Sequence, residues 1–227
     1  MNTSTRNALA CASSLLLTLT FVPCHFAAEP PAAAAPTERI ELFNGKDFTG
    51  WTFCLRSNAE PAKTFSVTNG LIHCTGQPFG YMRTEKSFKD YHLTVEWRFV
   101  KVASGADNSG VFVHIQPPDQ VWPKCIENQG QYQHQGDLVL MSGATCKARD
   151  TVQTRSVRAT QAQNEKPAGE WNTYEVVCSG ATLKNYVNGK LMNEVTECSI
   201  SSGAIGLQSE GGDLEVRKVT LEPLKNP

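Results

Sequence analysis

A charge surplus of either sign is the first thing missing. The 227 residues carry 21 Lys and Arg against 22 Asp and Glu, a net charge of −1. No basic excess is available to hold a polyanion, which excludes nucleic acid as a partner bound by bulk charge. No run of about 18 apolar residues occurs, so a membrane-spanning helix is not expected. No Cys-x-x-Cys pair and no His-x-His spacing appears, so neither a zinc ribbon nor an imidazole metal site is indicated. No stretch keeps helical periodicity between caps, and there is no internal repeat. The chain is 40% hydrophobic and 19% charged, too apolar and too near neutrality for intrinsic disorder. A compact, near-neutral domain remains.

What is present begins with an export signal over residues 1–28. Arg6 is the only charge before Glu29, and Leu15, Leu16, Leu17, Leu19, Phe21 and Val22 form an apolar centre. Ala27 and Ala28 suit a cleavage site. Cys24 leaves a lipid anchor as the minor alternative, because Val22 and Pro23 before it make a poor lipidation box. Residues 29–37, rich in Pro and Ala, read as a spacer, and 38–227 as one domain. Periplasmic or secreted localisation follows from the signal. Six cysteines lie beyond it: Cys54, Cys74, Cys125, Cys146, Cys178 and Cys198. In an exported chain they suggest up to three disulfides out of 15 possible connectivities, with the pairing of sequence neighbours, 54–74, 125–146 and 178–198, as the first choice.

From Ile40 onward apolar residues recur every second position. Leu93, Val95, Trp97 and Phe99 alternate with Thr94, Glu96 and Arg98, and Val111, Val113 and Ile115 alternate with Phe112, His114 and Gln116. Asn188-Gly189 between two such runs signals a tight hairpin. Many short antiparallel strands predict an all-β, single-domain sandwich or jelly roll. Residues 141–168 are weakly patterned and read as a long loop with a short strand or two. Trp51, Trp97 and Trp171 are assigned to the core.

Particular residues carry more than periodicity. In order along the chain stand Leu42-Phe43-Asn44-Gly45-Lys46-Asp47, Gly80-Tyr81-Met82-Arg83-Thr84 and Asn108-Ser109-Gly110-Val111-Phe112. Trp122-Pro123-Lys124-Cys125-Ile126-Glu127-Asn128-Gln129, Gly169-Glu170-Trp171-Asn172 and Gly203-Ala204-Ile205-Gly206-Leu207-Gln208-Ser209-Glu210-Gly211 follow. Over about residues 38–224 this series resembles the 3-keto-disaccharide hydrolase family, whose members are also described as 3-keto-glucoside 1,2-lyases and hydratases. The resemblance implies a concanavalin A-like jelly roll, secreted or periplasmic sugar chemistry and a small-molecule carbohydrate substrate. Oligomeric state is left open.

A ketone at C3 of a sugar acidifies the hydrogen on C2. A base can remove it, and the enolate then expels the oxygen on C1. Such a site needs a base, an enolate stabiliser and an acid for the leaving group. Glu127, within the family-like Ile-Glu-x-Gln segment, is the first choice for base or metal ligand, and a solvated strand carboxylate is the alternative. His114 has acid–base chemistry suited to neutral pH, although a lone strand histidine is more often structural. Gln129, Asn108, Gln208, Arg83 and Lys124 are candidates for holding hydroxyl or enolate oxygens, and Trp122 for stacking on a sugar face. Gln208 and Glu210 share one strand face. His134, beside Asp137, is a weak metal candidate. A divalent metal ion is conceivable on oxygen ligands, with no cofactor otherwise indicated. The stretch Gly130-Gln-Tyr-Gln-His-Gln135 departs from the family pattern and puts the groove's shape in question. Three other classes compete: a non-catalytic carbohydrate-binding module, an ordinary two-carboxylate glycosidase and a structural envelope protein. The Glu-x-Asp-x-x-Glu strand signature of glucanases is absent.

Overall fold

The computed structural model describes residue 1 and residues 32–102 and 107–225. The signal segment over 1–28 therefore lies outside the described residues apart from Met1. Residues 31–227 make one compact unit. The chain's strands are, in order, β1 Ile40–Glu41, β2 Trp51–Leu55, β3 Phe65–Thr68, β4 Leu71–Cys74, β5 Gly80–Thr84, β6 Tyr91–Phe99 and β7 Gly110–Ile115. There follow β8 Ile126–Gln129, β9 Leu138–Leu140, β10 Cys146–Ala148, β11 Thr151–Gln153 and β12 Ser156–Val157. The last five are β13 Asn172–Ser179, β14 Thr182–Val187, β15 Lys190–Val195, β16 Ala204–Ser209 and β17 Leu214–Pro223.

They form two facing sheets. One runs β15-β14-β13-β6-β17-β4-β3 with β1 added on β17, and the other runs β12-β9-β8-β7-β16-β5-β2. A small hairpin, β10-β11, stands apart. The reason lies in the period of two. Along β6 the residues Tyr91, Leu93, Val95, Trp97 and Phe99 are buried and those between them are half-exposed, so one face packs on the opposing sheet. Trp97 meets Phe99 and Tyr174 edge-on, with ring centroids 5.1 and 5.5 Å apart. Asn188 and Gly189 both take positive φ, 50° and 78°, which closes the β14–β15 hairpin with a twist that matches its strands.

In the second sheet β7 and β16 are buried on both faces. Their inner side chains join the main core, while Tyr81, Phe112, Ile115, Cys125 and Ala204 form a second cluster on the outer side. From the segment 116–125, Asp119 accepts from Tyr81 and Arg83 of β5, and Trp122 packs on Phe79.

The structure corrects several expectations. All six cysteines are free thiols. Cys54 sits on β2 opposite Tyr81, whereas Cys74 lies on β4 of the other sheet. Cys125 belongs to the outer cluster, its Sγ 3.5 Å from Met141 Sδ, while Cys146 is in the main core. Cys178 and Cys198 share the core but are not bonded, and burial pushes both thiols up to about 12. Trp171 is not a core residue. It is half-buried on the outer side of the first sheet, stacked between the guanidinium groups of Arg98 and Arg217, each 4.5 Å from the ring centre. The segment expected to be a long loop holds β10, β11 and β12, one strand more than anticipated. Near the spacer's end, Ala34 pairs with Phe88. No helix among the described residues is long and apolar enough to cross a membrane.

Candidate active site

Strand register lays out the site. Across the outer face of the second sheet, Ser156, Val139, Glu127, Phe112, Gly206, Arg83 and Thr52 stand side by side, each paired with the next. One step along, Gln129 faces Gly110, and Gln208 faces Tyr81. Two glycines in the middle keep the floor low. A cleft of about 320 Å³ opens there, lined by Asn108, Trp122, Glu127, Gln129, Val139, Met141, Arg155, Ser156, Gln208 and Glu210.

Glu127 is 3% exposed, and among the described residues its Oε1 has no hydrogen-bond partner. Burial, and secondarily the negative charge of Glu210, pushes its carboxyl well above the usual carboxylate range. Glu210 is held differently. Its Oε2 accepts from Asn108 Nδ2 at 2.8 Å and from Gln208 Nε2 at 2.6 Å. Burial raises its pKa too, and the Gln208 bond pulls it back. The two carboxyls share a cleft but differ in environment: one wholly buried and unpaired, one half-buried with two amide donors. Gln208 is 1% exposed and among the described residues its Oε1 has no partner, so it can accept from a ligand hydroxyl. Gln129 Oε1 accepts from the Gln131 N–H at 2.8 Å, which leaves the Nε2 donors to the cleft. Trp122, packed on Phe79 with centroids 6.2 Å apart, forms an apolar wall with Met141 and Val139.

The cleft thus unites five expected residues, Glu127, Gln129, Asn108, Gln208 and Trp122, and leaves out three. His114 is the sharpest correction. Opposite β16, the register slips between Ala204 and Gly206, so that His114 sits in a bulge at φ 57°. A bulge residue resets the alternation. Ile115 therefore takes the outer face and His114 turns inward, edge-on to Tyr91 at 5.8 Å. Its Nδ1 lies 3.3 Å from the Ile200 carbonyl, its Nε2 has no partner among the described residues, and burial lowers its pKa to about 4. It is a neutral interior imidazole. Arg83 is committed to Asp119 through two bonds of 2.7 and 2.6 Å, and Tyr81 donates to the same carboxylate at 3.0 Å. Lys124 is half-buried and does not line the cleft; its backbone carbonyl accepts from Gln116 N. His134 lies beside Arg158 and Asp137, 3.2 Å from a guanidinium nitrogen, an unsuitable place for a cation.

No group of three His, Cys, Asp or Glu side chains among the described residues could hold a metal ion. The unpartnered oxygens of Glu127 and Gln208, with Glu210, are an oxygen donor set of the kind hard cations prefer, yet they equally suit sugar hydroxyl donors. Sequence reading noticed Glu210 only as a neighbour of Gln208 on one face, and it missed Arg155, Ser156, Val139 and Met141. These last four come from an edge of the sheet whose pairing no local pattern announces.

The profile of the 3-keto-alpha-glucoside-1,2-lyase-like domain matches residues 38–222. No curated protein matches in sequence. Among solved structures, a glycosyl hydrolase-like protein from Parabacteroides distasonis aligns with a TM-score of 0.60 and 19% identity, over 83% of this chain and 94% of that one. The β-glucanase of Bacillus licheniformis aligns at 0.56 and 16%, over 82% and 97%. The carbohydrate-binding module CBM66 of Bacillus subtilis aligns at 0.55 and 12%, over 76% and 95%. At these identities the likeness establishes the fold, a concanavalin A-like jelly roll, and nothing finer.

Proposed function

This chain belongs to the 3-keto-alpha-glucoside-1,2-lyase-like family, a family of carbohydrate-acting proteins, and from that premise we propose that it cleaves 3-keto-glycosides by elimination and hydration. The observation that carries the reading is the pair in the cleft: the buried, unpartnered carboxyl of Glu127 and the amide-held carboxylate of Glu210. When two carboxyls occupy unlike environments, the one with the higher pKa keeps its proton and the other stays charged. Glu127 is then the acid and Glu210 the base, which reverses the role expected for Glu127 from sequence.

In this mechanism Glu210 removes the C2 hydrogen as a proton, and the C2–H electrons form the enolate whose charge rests on the C3 oxygen. Gln129 Nε2 donates to that oxygen. The enolate electrons then form the C1–C2 double bond as the C1–O bond breaks and the C3 ketone is restored. Glu127 gives its proton to the departing oxygen. Water next adds to C1 with Glu127, now ionised, taking its proton, and Glu210 returns a proton to C2. The net change is hydrolysis. Trp122 offers a flat apolar wall for the sugar's C–H face. Export to the periplasm or beyond belongs to the same proposal and rests on residues 1–28.

The test is NMR of a 3-keto-glucoside with the chain in deuterated water. Deuterium entering C2 with release of the aglycone is expected. Glu210→Gln should abolish the exchange. Glu127→Gln should keep exchange and still release 4-nitrophenol, a leaving group that needs no proton, while losing alkyl glycosides by about 10²–10⁴-fold. Turnover without C2 exchange in wild type, or exchange lost in Glu127→Gln and kept in Glu210→Gln, would sink the assignment.

A further inference from the structure

One cation at the cleft is unbalanced. Every other described arginine is engaged. Arg39, Arg83, Arg98, Arg158 and Arg217 meet carboxylates. Arg56 lies over the Phe79 ring and Arg149 donates to the Arg158 carbonyl. Among the described residues, Arg155 alone of the arginines has no side-chain partner, although it lines a cleft that contains two carboxyls. Its backbone is nevertheless anchored. The Arg155 carbonyl accepts from Leu140 N at 2.6 Å, and the next residue, Ser156, pairs with Val139.

Strand order says what that cation faces. From the edge inward run β12, β9, β8, β7 and β16. Glu127 is on β8, Gln208 is on β16 with Glu210 just beyond it, and Arg155 immediately precedes β12. Glu127 therefore stands between Glu210 and Arg155. If Glu210 works at C2 and Glu127 at the leaving oxygen, the sugar ring lies on the β16 side. The group that departs then extends toward β9 and β12. Two strand spacings, roughly 10 Å, separate Glu127 from the β12 edge, enough for the body of an aglycone between them. An unpaired guanidinium at that distance presents a fork of donors suited to a carboxylate, sulfate or phosphate.

We infer that Arg155 reads an anionic group on the leaving portion of the substrate, so that the preferred 3-keto-glycosides carry a carboxylate, sulfate or phosphate on the aglycone; this rests on the elimination reading of the cleft. Trp122 and Met141 give the body of that aglycone an apolar wall, and Arg155 selects its charge.

The test uses the full chain and three glycosides that keep their C3 hydroxyl and so cannot eliminate: 4-carboxyphenyl β-glucoside, phenyl β-glucoside and phenyl β-glucuronide. Affinities are read by calorimetric titration at low and high salt. The carboxyphenyl compound should bind about tenfold more tightly than the phenyl compound at low salt. That advantage should shrink with salt, vanish in Arg155→Gln and partly survive in Arg155→Lys. A glucuronide advantage that Arg155→Gln removes would put the anion on the sugar ring and overturn the assignment. Equal affinities, no binding of the carboxyphenyl compound, or an advantage that survives Arg155→Gln would overturn it also. Failure of the elimination reading shows separately, as missing C2 exchange on a 3-keto-glucoside.

Discussion

The carboxyl group of Glu127 occupies the space in which a side chain at position 110 would begin. A Cβ built on Gly110 would stand 2.4 Å from Glu127 Oε1 and 2.8 Å from its Cγ. The backbone of Gly110 does not require glycine by a positive φ; the neighbour does. The small residue in β7 is what lets the carboxyl on β8 lie over the sheet and face the cleft.

Gly110→Ala should accordingly cost about 1–3 kcal/mol of stability, as overpacking does, and should remove most activity by displacing Glu127. Combining it with Glu127→Ala should recover much of the lost melting temperature without recovering turnover. Differential scanning calorimetry of the two variants checks this, and a Gly110→Ala protein as stable and active as wild type would refute it.

Glu127→Gln should raise stability above about pH 4.3, the ordinary glutamate value. The native carboxyl is held well above that range by burial. Between the two values the native state keeps a proton that the unfolded state has released, so wild-type stability falls as pH rises through this window. Glutamine has no such dependence. Urea unfolding at pH 4, 6 and 8 should show the variant's advantage growing with pH.

His114 works in the opposite window. Its native pKa is lowered from 6.5 to about 4, so between those values the unfolded chain takes up a proton that the native imidazole refuses. Stability is complete above about pH 6.5 and falls by about 3 kcal/mol as pH drops through 4. His114→Asn tolerates the positive φ of the bulge and should flatten this acid limb while C2 exchange persists. Unchanged acid sensitivity would contradict the neutral interior imidazole.

Arg83 should matter to the fold more than to substrate. Its partner Asp119 is partly exposed and is kept low in pKa first by the Arg83 hydrogen bonds, so Asp119→Asn should cost only about 1 kcal/mol. Arg83→Met should lower the melting temperature by a comparable amount and leave KM for a 3-keto-glucoside within about twofold. A KM rise of about tenfold or more, the size of a lost charged contact, would return Arg83 to the site.

Several features of the cleft were visible in the chain itself. Ile126-Glu127-Asn128-Gln129 puts Glu127 and Gln129 on one strand face, and both line the cleft. Gln208 and Glu210 likewise share a face and meet there. What stayed hidden was the partnership across strands. Asn108 reaches Glu210 over a separation of 102 residues, and no local pattern encodes that contact. The cysteines show the same limit: closeness in sequence does not make closeness in space, for Cys54 and Cys74 belong to opposite sheets.

Alternation of apolar and polar residues by itself determined that this is a sandwich of short antiparallel strands, because period-two side-chain placement is a local property of extended backbone. It placed Leu93, Val95, Trp97 and Phe99 inside and put Asn188-Gly189 at a hairpin. Only the tertiary structure decided that His114 turns inward, that Glu127 leans over Gly110, and that Arg155 arrives at the rim. Each depends on register against a partner strand, and one extra residue in a bulge inverts every assignment after it.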